Sequence, residues 1–288
     1  MFDGVHLGHR EILSAQKEIA QNIGGETALL TFDPHPRKAL QKDEDLFFLS
    51  PLEEKAQKLE SLGLDNLIVQ PFDKAFSEIT PEEFVEKVLF EKLHLHTLII
   101  GHDHRFGKGR AGDFDLLQKY STKLGFSLLQ IEAIQKRQKV VSSSKIRTAL
   151  LGGDLDFANH SLGDFYSLQG KVIEGKKIGQ TLGFPTANLQ MHPQKLIPKK
   201  GVYAVWVKLD GKKIKGVMNI GSNPTVSQER SNSLSVEVHL LDFSSDLYDK
   251  TLEVSLVSYL REEHKFFSLL ELKEQIAKDI ELAKDILD

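Results

Sequence analysis

Two rhythms divide the chain. In its first half, apolar runs of strand length alternate with stretches whose apolar residues recur every three to four positions. The runs are 28–32, 66–69, 97–101 and 126–131, and the helical rhythm between them predicts helices at about 8–23, 51–63, 81–93 and 112–124. Ser50-Pro51-Leu52-Glu53 and Thr80-Pro81-Glu82-Glu83 each read as a cap, a proline in the first turn and then acid. Such alternation predicts an α/β unit with a parallel sheet, and ligands then bind beyond the carboxyl ends of the strands.

From about Ser167 the rhythm becomes period two, over 170–173, 202–209, 214–220, 234–241 and 252–260. Lys208-Leu209-Asp210-Gly211-Lys212 is a hairpin signal. Short strands joined by turns predict a closed antiparallel barrel. One amphipathic helix, at about 269–287, ends the chain. The expected division is therefore 1–162 and 163–288.

Composition narrows this little. The 288 residues are enough for two domains, and the formal net charge of -4 argues against a dominant nucleic-acid surface. There is no cysteine, which excludes disulfides and thiolate catalysis. No apolar run is long enough to span a bilayer, and the first residues lack a basic segment followed by an apolar core. The cytoplasm is the expected compartment.

Four polar clusters mark the first half. In Phe2-Asp3-Gly4-Val5-His6-Leu7-Gly8-His9, Gly8 lets a ligand approach a helix start, whose free N–H groups favour phosphate. His6 and His9 share a face if the helix has begun. The alternatives are two solvated histidines, or a zinc site completed by His35, His102 or His104. The second cluster, Thr31-Phe32-Asp33-Pro34-His35-Pro36-Arg37, is a stiff loop directly after a strand. The third, 101–110, sets Arg105, Lys108 and Arg110 among glycines, and a solvated basic turn explains it equally well. In the fourth, Ser142 and Ser143 cap a helix that carries Arg147, a combination suited to phosphate. Only Met1 to Val5 precede His6, too few for a strand of about five or six residues plus its turn. The sequence thus predicts an apolar strand upstream, within roughly 15–25 further residues.

In the second half, Gly170, Gly175, Gly179 and Gly183 lead into Phe184-Pro185-Thr186-Ala187-Asn188. Thr186 and Asn188 lie two apart, so an extended segment points both to one side as neutral oxygen donors suited to Mg²⁺. A Gly/Pro turn followed by an edge strand is the plainer reading. Glu237 alternates with Val236 and Val238, as an exposed acid on a sheet face also would.

Gly183-Phe184-Pro185-Thr186-Ala187-Asn188, Lys200-Gly201-Val202-Tyr203-Ala204, Asn219-Ile220-Gly221 and Val236-Glu237-Val238-His239 resemble the flavokinase domain. His6-Leu7-Gly8-His9 resembles the nucleotidyltransferase His-x-Gly-His signature, and 142–147 its Ser-Ser-x-x-Ile-Arg segment. Together the chain resembles the bacterial bifunctional riboflavin kinase/FAD synthetase family over essentially its whole length. The resemblance implies a Rossmann-like nucleotidyltransferase domain and a riboflavin kinase barrel. It implies ATP as co-substrate, Mg²⁺ as cofactor, riboflavin as substrate, and FMN and FAD as products. It implies no nucleic-acid or membrane partner, and a monomer or weak oligomer.

By the same resemblance Glu237 is the kinase base, Thr186 and Asn188 hold the metal, and Gly175, Gly179, Gly183 and Pro185 form the ATP loop. His6, His9 and Arg147 serve the adenylyl transfer, with Gly8, Ser142 and Ser143 at the phosphates. His35, Pro36, Asp103, Arg105 and Phe106 border the flavin in the first half, and Arg261, Glu263 and Phe266 in the second. Three positions depart from the pattern: His104 in place of Phe, Gln180 in place of Arg, and Phe267 where a small or polar residue is usual. The competing expectations are a different cytidylyl- or adenylyltransferase and a non-catalytic flavin-binding protein.

Overall fold

A computed structural model describes residues 1–40, 46–102, 104–132, 135–136, 139–175, 178–222 and 234–288. They form two compact units, Met1–Ser142 and Ser143–Asp288.

The first unit contains α1 (Leu7–Ile23), β1 (Ala28–Asp33), α2 (Leu52–Ser61), β2 (Asn66–Pro71), β3 (Thr97–Gly101), α3 (Phe114–Leu124) and β4 (Ser127–Ile131). The predicted parallel pairing is present: β1 runs beside β2, and β3 beside β4. The strands form two separate pairs, and no strand among the described residues joins them. Each pair has its own apolar core. Val5, Leu13, Leu29 and Leu59 cluster beside the first. Phe84, Leu89, Ile100, Phe106 and Leu117 cluster beside the second.

Helix starts follow the local signals with one shift. Thr80 caps as expected: its hydroxyl accepts from Glu83 N, and the Glu83 carboxylate accepts from Thr80 N. Pro51, expected inside the first turn, is itself the cap residue of α2. Just ahead of it, the Asp3 carboxylate accepts from both Leu49 N (3.1 Å) and Ser50 N (3.0 Å).

The second unit begins with α4 (Ser143–Gly152) and α5 (Leu155–Leu162), ahead of the expected division at 162/163. Asn159 accounts for this. Its amide donates to Leu256 O (3.0 Å) and its carbonyl accepts from Tyr166 N (2.7 Å), while Lys199 N donates to Leu150 O (2.9 Å). Both helices are thereby bound to the barrel.

That barrel comprises β5 (Tyr166–Ile173), β6 (Ala187–Met191), β7 (Gly201–Leu209), β8 (Lys212–Ser222), β9 (Leu234–Leu240) and β10 (Thr251–Arg261). It closes in the order β8-β9-β6-β5-β10-β7, with all pairs antiparallel. The β7–β8 hairpin turns at Asp210 and Gly211, both at positive φ (49° and 78°), as the sequence signal requires. β6 is not an edge strand: it pairs with β5 on one side and β9 on the other. Helix α6 (Leu269–Leu287) packs Ala283 and Leu287 against Ala204.

Candidate active sites

Within the barrel, register assembles the first constellation. β9 alternates buried Val236, Val238 and Leu240 with Ser235, Glu237 and His239 on its other face. Glu237 stands opposite Asn188 of β6 and opposite Asn219 of β8. Its carboxylate accepts from Thr186 Oγ1 (3.2 Å) and from Ser235 Oγ (2.9 Å). A carboxylate has about four lone-pair sites, so two remain for a substrate hydroxyl. Next along the face, His239 Nδ1 donates to Pro185 O (2.7 Å), and the His239 ring meets Phe184 edge-on. β9 therefore grips 184–188 at Pro185, Thr186 and Asn188.

The glycines of this loop have reasons internal to the fold. A Cβ on Gly175 would collide with the Asn188 amide, and one on Gly179 with Phe184 O. Gly183 lies at the turn, with φ +90°. Asn188 and Phe184 thus approach the backbone of Gly175 and Gly179 closely.

Thr186 and Asn188 suit Mg²⁺ by donor chemistry. The Thr186 proton is directed to Glu237, which leaves oxygen lone pairs for a cation. Two neutral donors do not saturate Mg²⁺, which ordinarily takes the remainder from water and substrate phosphates.

Arg261, expected at the flavin, is occupied. It donates to the buried Asp279 of α6 through Nε (2.9 and 3.1 Å) and Nη2 (2.7 Å). Its guanidinium also lies 5.8 Å from the Phe266 ring centre. A Cβ on Gly221 would meet the Glu263 carboxylate and, at 3.1 Å, Asn219 Nδ2, so the 261–266 segment reaches the neighbourhood of Glu237's ladder partner. Phe267 is fully exposed, at 101%.

In the first unit, His6 caps α1, and its ring stacks on His9 with centres 3.6 Å apart. The expected shared face is observed. A Cβ on Gly8 would lie 3.3 Å from the His6 ring, so the glycine admits that ring as well as any ligand. Burial first, then the neighbouring His6 and Lys55, hold His9 well below the ordinary histidine range. His9 is neutral at pH 7 and offers a hydrogen bond rather than a charge. Its Nδ1 is buried without a partner among the described residues. Phe2 (φ 53°) and Val5 (φ 43°) are left-handed, unusual for bulky and β-branched side chains, so this loop stores strain.

The other candidates of this unit divide. His35 caps the short helix Pro36–Ala39 by accepting from Arg37 N (3.1 Å), and it stacks near Phe48. Arg105 pairs with Asp113 (2.9 Å) at the surface. Phe106 is a core residue against Phe84, with His104 stacked on it. An open depression of about 600 Å³ beside this loop is lined by Thr80, Pro81, Lys108 and Asp113, apart from His6 and His9. Asp103 lies outside the described residues. No group of three or more His, Cys, Asp or Glu side chains gathers in metal-holding geometry among the described residues. Ser142 is the last residue of the first unit, and Ser143 and Arg147 lie in α4 of the second, with Arg147 partly buried.

Sequence reasoning passed over Ser235 and His239, although the period-two alternation around Glu237 marks both. It also passed over Lys55, a lysine on the apolar stripe of α2 between Leu52 and Leu59.

Two family models match different parts of the chain. Residues 1–145 match the FAD synthetase family model and residues 162–287 the riboflavin kinase model. A bifunctional riboflavin kinase/FMN adenylyltransferase from Bacillus subtilis is 38% identical over 96% of this chain and 88% of its own length. One from Listeria monocytogenes is 39% identical with the same coverage. A crystal structure described as a macrolide-efflux protein from Streptococcus pneumoniae shares the fold at TM-score 0.90 and 27% identity, covering 98% of this chain and 91% of that one. No helix among the described residues is long and apolar enough to cross a membrane. The chain belongs to the family of bifunctional riboflavin kinase/FMN adenylyltransferases, ATP-dependent enzymes of flavin biosynthesis.

Proposed function

We propose that the barrel phosphorylates riboflavin with ATP to give FMN, and that the α/β half, 1–162, joins FMN to the AMP part of a second ATP, releasing pyrophosphate and giving FAD. The kinase half is 163–288. The observation that carries the first step is the convergence of Glu237, Thr186 and Asn188, joined by ladder register and a hydrogen bond.

Glu237 takes the proton of the riboflavin 5′-hydroxyl, that oxygen attacks the γ-phosphorus of ATP, and the bond from that phosphorus to the β,γ-bridging oxygen breaks to release ADP. Thr186 and Asn188 would hold Mg²⁺, which neutralises phosphate charge when bound. Positioning and electrostatics do most of the work in phosphoryl transfer. Gly175, Gly179, Gly183 and Pro185 shape the ATP loop, and Glu263 and Phe266 border the flavin. Arg261 acts there chiefly by fixing the segment, because Asp279 holds its guanidinium.

For adenylyl transfer, the FMN phosphate is already a nucleophile at pH 7, so the site must offset repulsion between anions. His6 and His9 donate hydrogen bonds to triphosphate oxygens, while Arg147, with Gly8, Ser142 and Ser143, serves the phosphates. His35, Pro36, Asp103 and Arg105 are assigned to the flavin side. ATP as the donor in both steps favours the cytoplasm.

The test is direct: incubate the protein with riboflavin, ATP and Mg²⁺ and separate the flavins by chromatography. FMN followed by FAD is expected. Unchanged riboflavin together with no FAD from supplied FMN would overturn the reading.

A further inference from the structure

Lys55 is a buried cation that the roles above leave unused. It is 6% exposed, on the face of α2 that also carries Leu59. Its Nζ donates to Thr31 Oγ1 (3.0 Å), itself sealed from solvent, and to Met1 O (3.4 Å). Both acceptors are neutral. Taking an ammonium out of water is costly when its hydrogen-bond partners carry no charge. Burial accordingly lowers the affinity of Lys55 for its proton, against the opposing pull of Asp3 and Asp33. For packing alone, a methionine would serve this position better.

What the lysine accomplishes is a junction. Thr31 lies near the end of β1, just before the Asp33–Pro36 loop. Met1 begins the segment that carries His6 and His9. Asp3, in that same segment, holds the backbone at Leu49 and Ser50 just ahead of α2. Lys55 and Asp3 thus join the histidine loop to β1 and to α2. The loop needs such restraint, since Phe2 and Val5 stay left-handed only if their surroundings enforce it.

We infer that Lys55 is a positioning residue for adenylyl transfer, fixing the backbone that presents His6 and His9 to the nucleotide. The inference rests on the reading that this unit carries that step. Lys55 also acts on His9 through space, alongside His6, while Asp3 and Asp33 act on Lys55 itself. Removing the lysine charge should therefore move the His9 titration upward, which a residue used only for packing would not do.

The test compares the parent chain, Lys55→Met and Thr31→Val. FAD formation from FMN, ATP and Mg²⁺, FMN formation from riboflavin, the melting temperature and the His9 titration by NMR are measured on each. Lys55→Met should lower kcat for FAD formation roughly ten- to a hundredfold, the scale expected when reacting groups are slightly misplaced. KM for FMN should hold, the melting temperature should stay level or rise, and FMN formation should be untouched. Thr31→Val, which keeps the cation but removes one of its two acceptors, should lose less in the same direction. A Lys55→Met rate within about twofold of the parent overturns the inference. So does a loss that tracks a fall in melting temperature in both variants. A parent protein that makes no FAD from FMN sinks the reading of the first unit and this inference with it.

Discussion

The two units hold their proposed reactive groups in different ways. In the barrel, main-chain pairing does the placing: Glu237 faces Asn188 and Asn219 because β9 lies in register between β6 and β8, and every strand has two neighbours. In the first unit, His6 and His9 stand on a loop with left-handed Phe2 and Val5, tied by the side chains of Asp3 and Lys55. A site set by a closed ladder should tolerate the loss of one side chain except in the chemistry itself. A site set by side-chain ties should lose geometry when a tie is cut. The expectations below probe that contrast, beginning with the largest effect.

Glu237→Gln keeps the shape of the barrel site but removes the base, so FMN formation should fall by about 10²–10⁴, the usual scale for a lost general base. Steady-state kinetics with riboflavin checks this, and a loss below tenfold would remove Glu237 from the role. Asp279→Ala leaves the part-buried Arg261 without its carboxylate, and losing a charged hydrogen-bond partner there should cost roughly 1–3 kcal/mol. Denaturant unfolding followed by Trp206, the chain's one tryptophan, reads this within the barrel. Little change in the midpoint would show that the ladder alone holds the 261–266 segment.

Acid should act on the first unit. The folded state holds His9 below its unfolded value of about 6.5, so below neutrality the unfolded chain binds more protons. Stability then rises with pH through that window and is lost as pH falls from about 7. Calorimetry between pH 7 and 5 should show the first unit losing stability, with the slope reduced in His9→Gln. The smallest expected effect is Thr80→Ala, which removes a capping box and should cost about 1 kcal/mol in the first unit. Hydrogen exchange over 80–92 locates it, and the barrel amides should not respond.

Much of this was legible in the sequence, for identifiable reasons. Period two and the Asp210-Gly211 turn announce the barrel, and Thr80-Pro81-Glu82-Glu83 announces a helix start, because these signals depend on neighbours in the chain. The closure of β6 between β5 and β9 was not legible, since five residues after a Gly/Pro loop read equally well as an edge. Nor was the binding of α5 to the barrel, which rests on Asn159 reaching Leu256 O and Tyr166 N. In the sites, Glu237, Thr186 and Asn188 could be named as candidates from residue type and motif, but their convergence depends on pairing between distant segments. Lys55 was visible as a charge on an apolar stripe, but its partners Thr31 and Met1 were not, because tertiary contact alone brings them together. The neutrality of His9 is likewise a consequence of burial that residue identity does not carry.

The central claim is that the chain holds two sites that can be disabled separately. Glu237→Gln and His9→Ala, each supplied in turn with riboflavin and with FMN in the presence of ATP and Mg²⁺, test it most directly. Glu237→Gln should make FAD from FMN at the parent rate while failing to phosphorylate riboflavin, and His9→Ala should accumulate FMN without converting it. Loss of both activities together in either variant would contradict the account.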